Sequence, residues 1–210
     1  MSRRSRGLVA AALLLCSYPA AAQSRPDSLS EYRAGNFEAA ILAAMRELQA
    51  NDRNMDSYVA LSRSLMELGR HEEALRHAGI ARTINRHDPR MIDAIGEIYF
   101  FLGNNSEALR YLQHYANVAP EGNRIHMVYF YIGEIFIREG MFRHADIALT
   151  VAVHKWPGDA RWWARLAFAR EMAGDFIHAV PAYERAIALD SLLDDARRGL
   201  DRVRVALARM

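Results

Sequence analysis

From Leu29 to the C-terminus, apolar residues recur at spacings of three and four, in short stretches parted by polar turns. That period marks one face of an α-helix, and the stretches come in pairs. Residues 55–68 and 71–84, 90–102 and 106–118, and 124–139 and 142–155 each read as two helices joined by a tight turn. A fifth pair runs through Trp162 to Asp190 and turns at Gly174-Asp175. Ahead of them stands a shorter pair, a truncated helix over 29–34 with its partner over 37–50. The turns carry fitting chemistry: Asn51 to Asn54 offer capping side chains, and Asp88 caps a helix in which Pro89 takes the first position. Residues 119–123 form the longest break, where a longer loop or an extra helical turn is expected. Pro181 falls inside a helix, removes one backbone bond to Ile177 and is expected to bend it.

A register runs through the pairs. A glycine is followed five residues later by an alanine at Gly35/Ala40, Gly69/Ala74, Gly103/Ala108, Gly140/Ala145 and Gly174/Ala179. Successive glycines lie 34, 34, 37 and 34 residues apart, a period that signals a solenoid. The glycine suits the left-handed position that ends a helix. The alanine lies one turn into the next helix, where the two cross closest and a larger side chain would force them apart. Four residues beyond it stand Leu112, Leu149 and Tyr183, and seven beyond it Ala81, Ala152 and Ala186. In the first helices the order is large (Tyr58, Ile92, Tyr129, Trp163), apolar (Leu61, Ile95, Ile132, Leu166), small (Ser62, Gly96, Gly133, Ala167).

This order of large, small and aromatic positions resembles the tetratricopeptide repeat family over residues 27–191. Two features depart from it. The proline near the end of a unit appears only as Pro120 and Pro157, and Tyr115 and Glu47 replace the usual last alanine. The resemblance implies an all-α, right-handed superhelical solenoid of antiparallel helix pairs, with about five units of which the first is truncated. Residues 192–210 follow, with Leu193, Ala196, Leu200, Val203 and Leu207 on one stripe among charged residues. That is the helix needed to cover the last apolar face; a dimerisation helix is the alternative.

Met1 to Ala22 is of another kind. Arg3, Arg4 and Arg6 precede an apolar run from Gly7 to Cys16; Pro19 breaks it, and Ala20-Ala21-Ala22 supplies small residues. This is the pattern of a secretory signal peptide (1–22) cleaved after Ala22, and the run is too short to span a bilayer. Cys16 leaves a lipid anchor open, although Leu15 stands where such a signal normally has a small residue. Residues 23–28 read as a flexible lead. The mature chain is then exported, periplasmic or otherwise extracytoplasmic, with no transmembrane segment and no cysteine.

The formal net charge is +2, and the arginines are interleaved with Asp and Glu along the helices, which argues against a nucleic-acid site. No phosphate loop, zinc-binding His-Glu-x-x-His or His pair at helical spacing is present, so neither an enzyme nor a cofactor is expected. The resemblance implies instead a groove lined by the first helices. By the family's register its residues include Arg63 and Met66, then Arg90, Glu97 and Phe101, then Met127, Phe130, Glu134 and Arg138, and last Arg161, Phe168 and Met172. The aromatic and methionine side chains would face an amphipathic peptide or helix, and Arg63, Arg90, Arg138 and Arg161 would hold carboxylates at the rim. Phe101 and Phe130 stand open between groove and core; Tyr99, Tyr129 and Phe136 are expected in the core. The lysine and asparagine clamp of chaperone-binding members is absent. The expected function is a non-enzymatic scaffold for a protein or peptide. The rivals are a small-ligand module serving an envelope transporter or enzyme, and a homo-oligomer built through the C-terminal helix.

Overall fold

The computed structural model describes residues 27–210. The expected signal peptide, Cys16 and residues 23–26 of the lead lie outside them. The described residues form eleven helices, whose bounds match the sequence expectation to within three residues. In order these are α1 (Ser28–Arg33), α2 (Phe37–Ala50), α3 (Met55–Glu67), α4 (His71–Ile84), α5 (Pro89–Phe101), α6 (Asn105–Val118), α7 (Ile125–Arg138), α8 (Phe142–Lys155), α9 (Ala160–Met172), α10 (Phe176–Leu189) and α11 (Asp194–Leu207). They pack in successive antiparallel pairs, and each pair leans on the next, so the chain is an all-α solenoid.

The repeat residues do what the register asks. Gly35, Gly69, Gly103, Gly140 and Gly174 all have φ between 72° and 78°. Each lets the next residue's N–H reach back to the preceding helix, as in Arg70 to the Leu65 carbonyl at 2.8 Å. Ala40, Ala74, Ala108, Ala145 and Ala179 are fully buried. Large and small residues interlock between the two helices of a unit. A Cβ on Gly96 would come within 2.9 Å of Leu112, and one on Gly133 within 2.5 Å of Leu149.

Both residues that replace the usual last alanine have a place in the packing. Glu47 accepts hydrogen bonds from the Ser28 N–H (2.8 Å), the Ser28 hydroxyl (2.6 Å) and the Ser57 hydroxyl (2.5 Å), tying α1, α2 and α3 together. Burial opposes its charge, but the Ser28 and Ser57 donors outweigh that and hold the carboxyl below its ordinary range. Tyr115 is buried, and its ring occupies space beside Gly122 that a Cβ there would invade.

Two details differ from expectation. The lead stops short of residue 28: Asp27 caps α1 through the Ser30 N–H, and Ser28 is buried. The three extra residues before α7 form no helical turn; two linked turns carry the chain, with Gly122 N–H on the Ala119 carbonyl and Ile125 N–H on the Gly122 carbonyl. Pro181 lies inside α10, which runs unbroken from Phe176 to Leu189.

The core falls into two clusters that meet at α7 and α8: one from Ile41 to Ala148, the other from Ala145 to Val203. α11 closes the second with Ala196, Gly199, Leu200 and Val203. Tyr99, Tyr129 and Phe136 are half-buried, packed against the core.

Candidate functional site

Charge along the first helices is spent between neighbouring units. Arg63 on α3 donates to Asp93 and, at 2.9 Å, to Glu97 on α5. Arg124, delivered by the long connection, donates to the same two carboxylates at 2.5 and 2.6 Å. Tyr131 on α7 completes the cluster with a 2.6 Å hydrogen bond to Glu97. Two arginines and two carboxylates make it neutral. Burial opposes the charge on Glu97, but Arg63, Arg124 and the Tyr131 hydroxyl outweigh it and hold the carboxyl below its ordinary range. Burial and the Glu97 charge push the Tyr131 phenol upward.

The pattern continues along the array. Arg90 pairs with Asp56 at 2.6 Å and Asp88 at 2.8 Å, Arg165 with Glu134 at 2.6 Å, and Arg202 with Glu171 at 2.7 Å. Arg161 is taken by Asp159 beside it. Arg138 lies over the Phe100 ring, 3.8 Å from its centre, and donates to the Phe100 carbonyl.

These contacts correct the rim expected from the sequence. Arg63, Met66 and Glu97 are buried, and Arg63 holds this chain's carboxylates rather than a partner's. Arg90 and Arg161 are exposed but already paired. Met127, Phe130, Glu134 and Phe168 are half-buried; Phe101, Arg138 and Met172 are exposed. Phe130 is not free surface, since it stacks on Trp162 at 4.7 Å.

Rings form a path across these helices. From half-buried His71 stacking on Phe101 (5.1 Å), it passes to Tyr131 (6.0 Å), Phe130 (5.9 Å), Trp162 (4.7 Å), His126 (5.9 Å) and Trp156 (5.2 Å). The interior rings are buried or half-buried, whereas Phe101 is 48% and Trp156 53% exposed at the two ends. At the Phe101 end, an open cleft of about 440 Å³ brings Met66, Glu97, Phe101 and Met127 together with Glu67, Arg124 and Tyr131. A second, of about 450 Å³, lies against the cap and gathers Arg161 and Phe168 with Ala164, Arg165, Leu193 and Arg202.

Sequence reasoning missed Arg124, Arg165, Tyr131 and Trp162. One signal was available: Asp56 and Arg90, and Arg63 and Glu97, are opposite charges 34 residues apart, at the same register of adjacent units. Among the described residues no helix is long and apolar enough to cross a membrane.

No protein-family model matches the chain, and no curated protein matches it either. Solved structures do. A crystal structure of MamA is 18% identical, covers 80% of this chain and 96% of its own, and superposes with a TM-score of 0.67. MamA of AMB-1 is 19% identical over 78% of this chain and 95% of its own, with a TM-score of 0.67. MamA from Desulfovibrio magneticus RS-1 is 21% identical over 73% and 85%, with a TM-score of 0.66. At such identities the likeness is one of fold, and the fold shared with MamA is a tetratricopeptide-like solenoid of helix pairs.

Proposed function

We propose that this chain is a non-catalytic, extracytoplasmic scaffold that takes a protein or peptide partner along its first helices. One observation carries the reading. At the Phe101 cleft Glu97 and Arg124 are paired with each other, exposed Glu67 is the one lining carboxylate without an ion pair among the described residues, and apolar Met66, Phe101 and Met127 line the opening. A partner therefore meets a preformed, largely apolar surface on which Glu67 is the one carboxylate open to a new counter-charge. Methionine and phenylalanine there suit the apolar face of an amphipathic helix. Export rests on the sequence of residues 1–22, with its three arginines, apolar run and small residues before Ala22.

The test is crosslinking capture from native envelopes with the wild type and with Phe101→Glu. Phe101 is half-exposed, so the variant folds with wild-type helix content, and a partner held in the cleft is lost from it. Equal capture by both proteins would reject the site. The cap-side cleft favours a second reading, a small-ligand module, because it joins apolar Phe168 and Leu193 beneath charged side chains.

A further inference from the structure

Four glycines lie inside the described helices: Gly79, Gly96, Gly133 and Gly199. Three have a steric reason to be there. A Cβ would fall 2.9 Å from Leu112 at Gly96, 2.5 Å from Leu149 at Gly133, and 2.2 Å from the Tyr183 ring at Gly199. At Gly79 a Cβ would meet nothing within 4 Å. A glycine within a helix weakens it relative to alanine, and no neighbour among the described residues asks for one on α4. Positions that break a local rule are expected at functional or strained sites, and the Gly79 φ is not in the strained region.

Gly79 is part of a cleft of about 380 Å³ on the second-helix side, between α4, α5 and α6. Leu75 and Ile95 line it with Tyr99 and Tyr111, whose rings stack 5.8 Å apart. Arg82, Thr83 and Arg86 stand at its edge. Thr83 donates its hydroxyl to the Ile80 carbonyl. Arg82 lies 5.2 Å from the Tyr111 ring centre, and Arg86 donates to the His87 ring at 3.1 Å. Neither arginine has a carboxylate partner among the described residues. The cap-side cleft differs, because its Arg161, Arg165 and Arg202 are all paired with carboxylates.

We propose that this second-helix cleft binds a small aromatic acid, its planar apolar body laid on the bare backbone at Gly79 beside Tyr99 and its anionic group held by Arg82 and Arg86. The missing side chain lets a flat ring approach the helix, half-buried Tyr99 supplies an aromatic contact while Tyr111 backs it from below, and two guanidinium groups without a carboxylate partner supply donors for a carboxylate, sulfonate or phosphate. The site is separate from the first-helix cleft and does not depend on that reading.

Isothermal titration with 2-naphthoate tests it, with acetate (charge without ring) and 2-naphthalenemethanol (ring without charge) as comparators. Saturable binding of naphthoate is expected, with both comparators weaker by roughly tenfold or more. Gly79→Leu should remove the binding, because the new side chain fills the cleft, while helix content and partner capture through Phe101 stay at wild-type levels. Arg82→Gln with Arg86→Gln, both on exposed side chains, should weaken it by roughly tenfold or more. The proposal is overturned if naphthoate shows no saturable binding, if Gly79→Leu binds it like the wild type, or if the arginine pair can be replaced without loss.

Discussion

The two halves of the solenoid join their first helices in the same register but at different depths. Between α3, α5 and α7 the joint is a buried cluster in which Arg63 and Arg124 share Asp93 and Glu97. Between α7, α9 and α11 the joint is a pair of open ion bridges, Glu134–Arg165 and Glu171–Arg202, with Arg202 about half exposed. Ion pairing in water contributes little, whereas a buried charge that loses its partner is strongly unfavourable. The same sequence device therefore makes a joint that tolerates no missing member in one half and a replaceable one in the other.

The largest expected effect follows from removing one member of the buried cluster. Arg63→Met should cost about 3–5 kcal/mol in denaturant unfolding, because Asp93 and Glu97 then share Arg124 alone. Replacing the whole cluster (Arg63→Met, Asp93→Leu, Glu97→Leu and Arg124→Met) should recover most of that loss, since apolar side chains need no partners. If the fourfold variant is weaker still, the cluster adds net stability and the contrast between the halves is deeper than stated.

Next comes Gly199→Ala, at about 1–3 kcal/mol, because the new methyl meets the Tyr183 ring. A loss as large as that of Arg63→Met would show that the cap is as intolerant as the buried cluster and erase the contrast. The acid limb is a subtler probe. Glu97 has a depressed value in the folded state, so its stabilisation is present above the ordinary glutamate range and is lost as pH falls through the depressed value. Stability of the wild type should therefore fall more steeply with acid than that of Glu97→Gln. The smallest effect is expected at Arg202→Met, about 1 kcal/mol or less in thermal or denaturant unfolding, because the side chain is about half exposed.

Much of the fold was legible because local chemistry sets it. The glycines that end helices, the alanines at close crossings and the caps at Asn54 and Asp88 act on neighbours a few residues away, so their spacing placed the units. The site was legible only in part. Arg63, Glu97 and Phe130 stand at register positions that face the groove, but their exposure depends on the next unit, some 30 residues on. Arg63 and Glu97 are closed over by Arg124 and Tyr131, and Phe130 by Trp162. The three-residue insertion showed in the sequence as a spacing of 37, but its consequence, an arginine carried into the buried cluster, requires the folded turn.

The central claim is that charges on the first-helix face hold the units together while its apolar residues receive the partner. Its most direct test is partner capture by the wild type across a roughly tenfold rise in salt, with Phe101→Glu alongside. The account predicts capture that salt leaves nearly unchanged and Phe101→Glu abolishes. Capture that collapses with salt and survives Phe101→Glu would contradict it, by showing that charge on another surface recognises the partner.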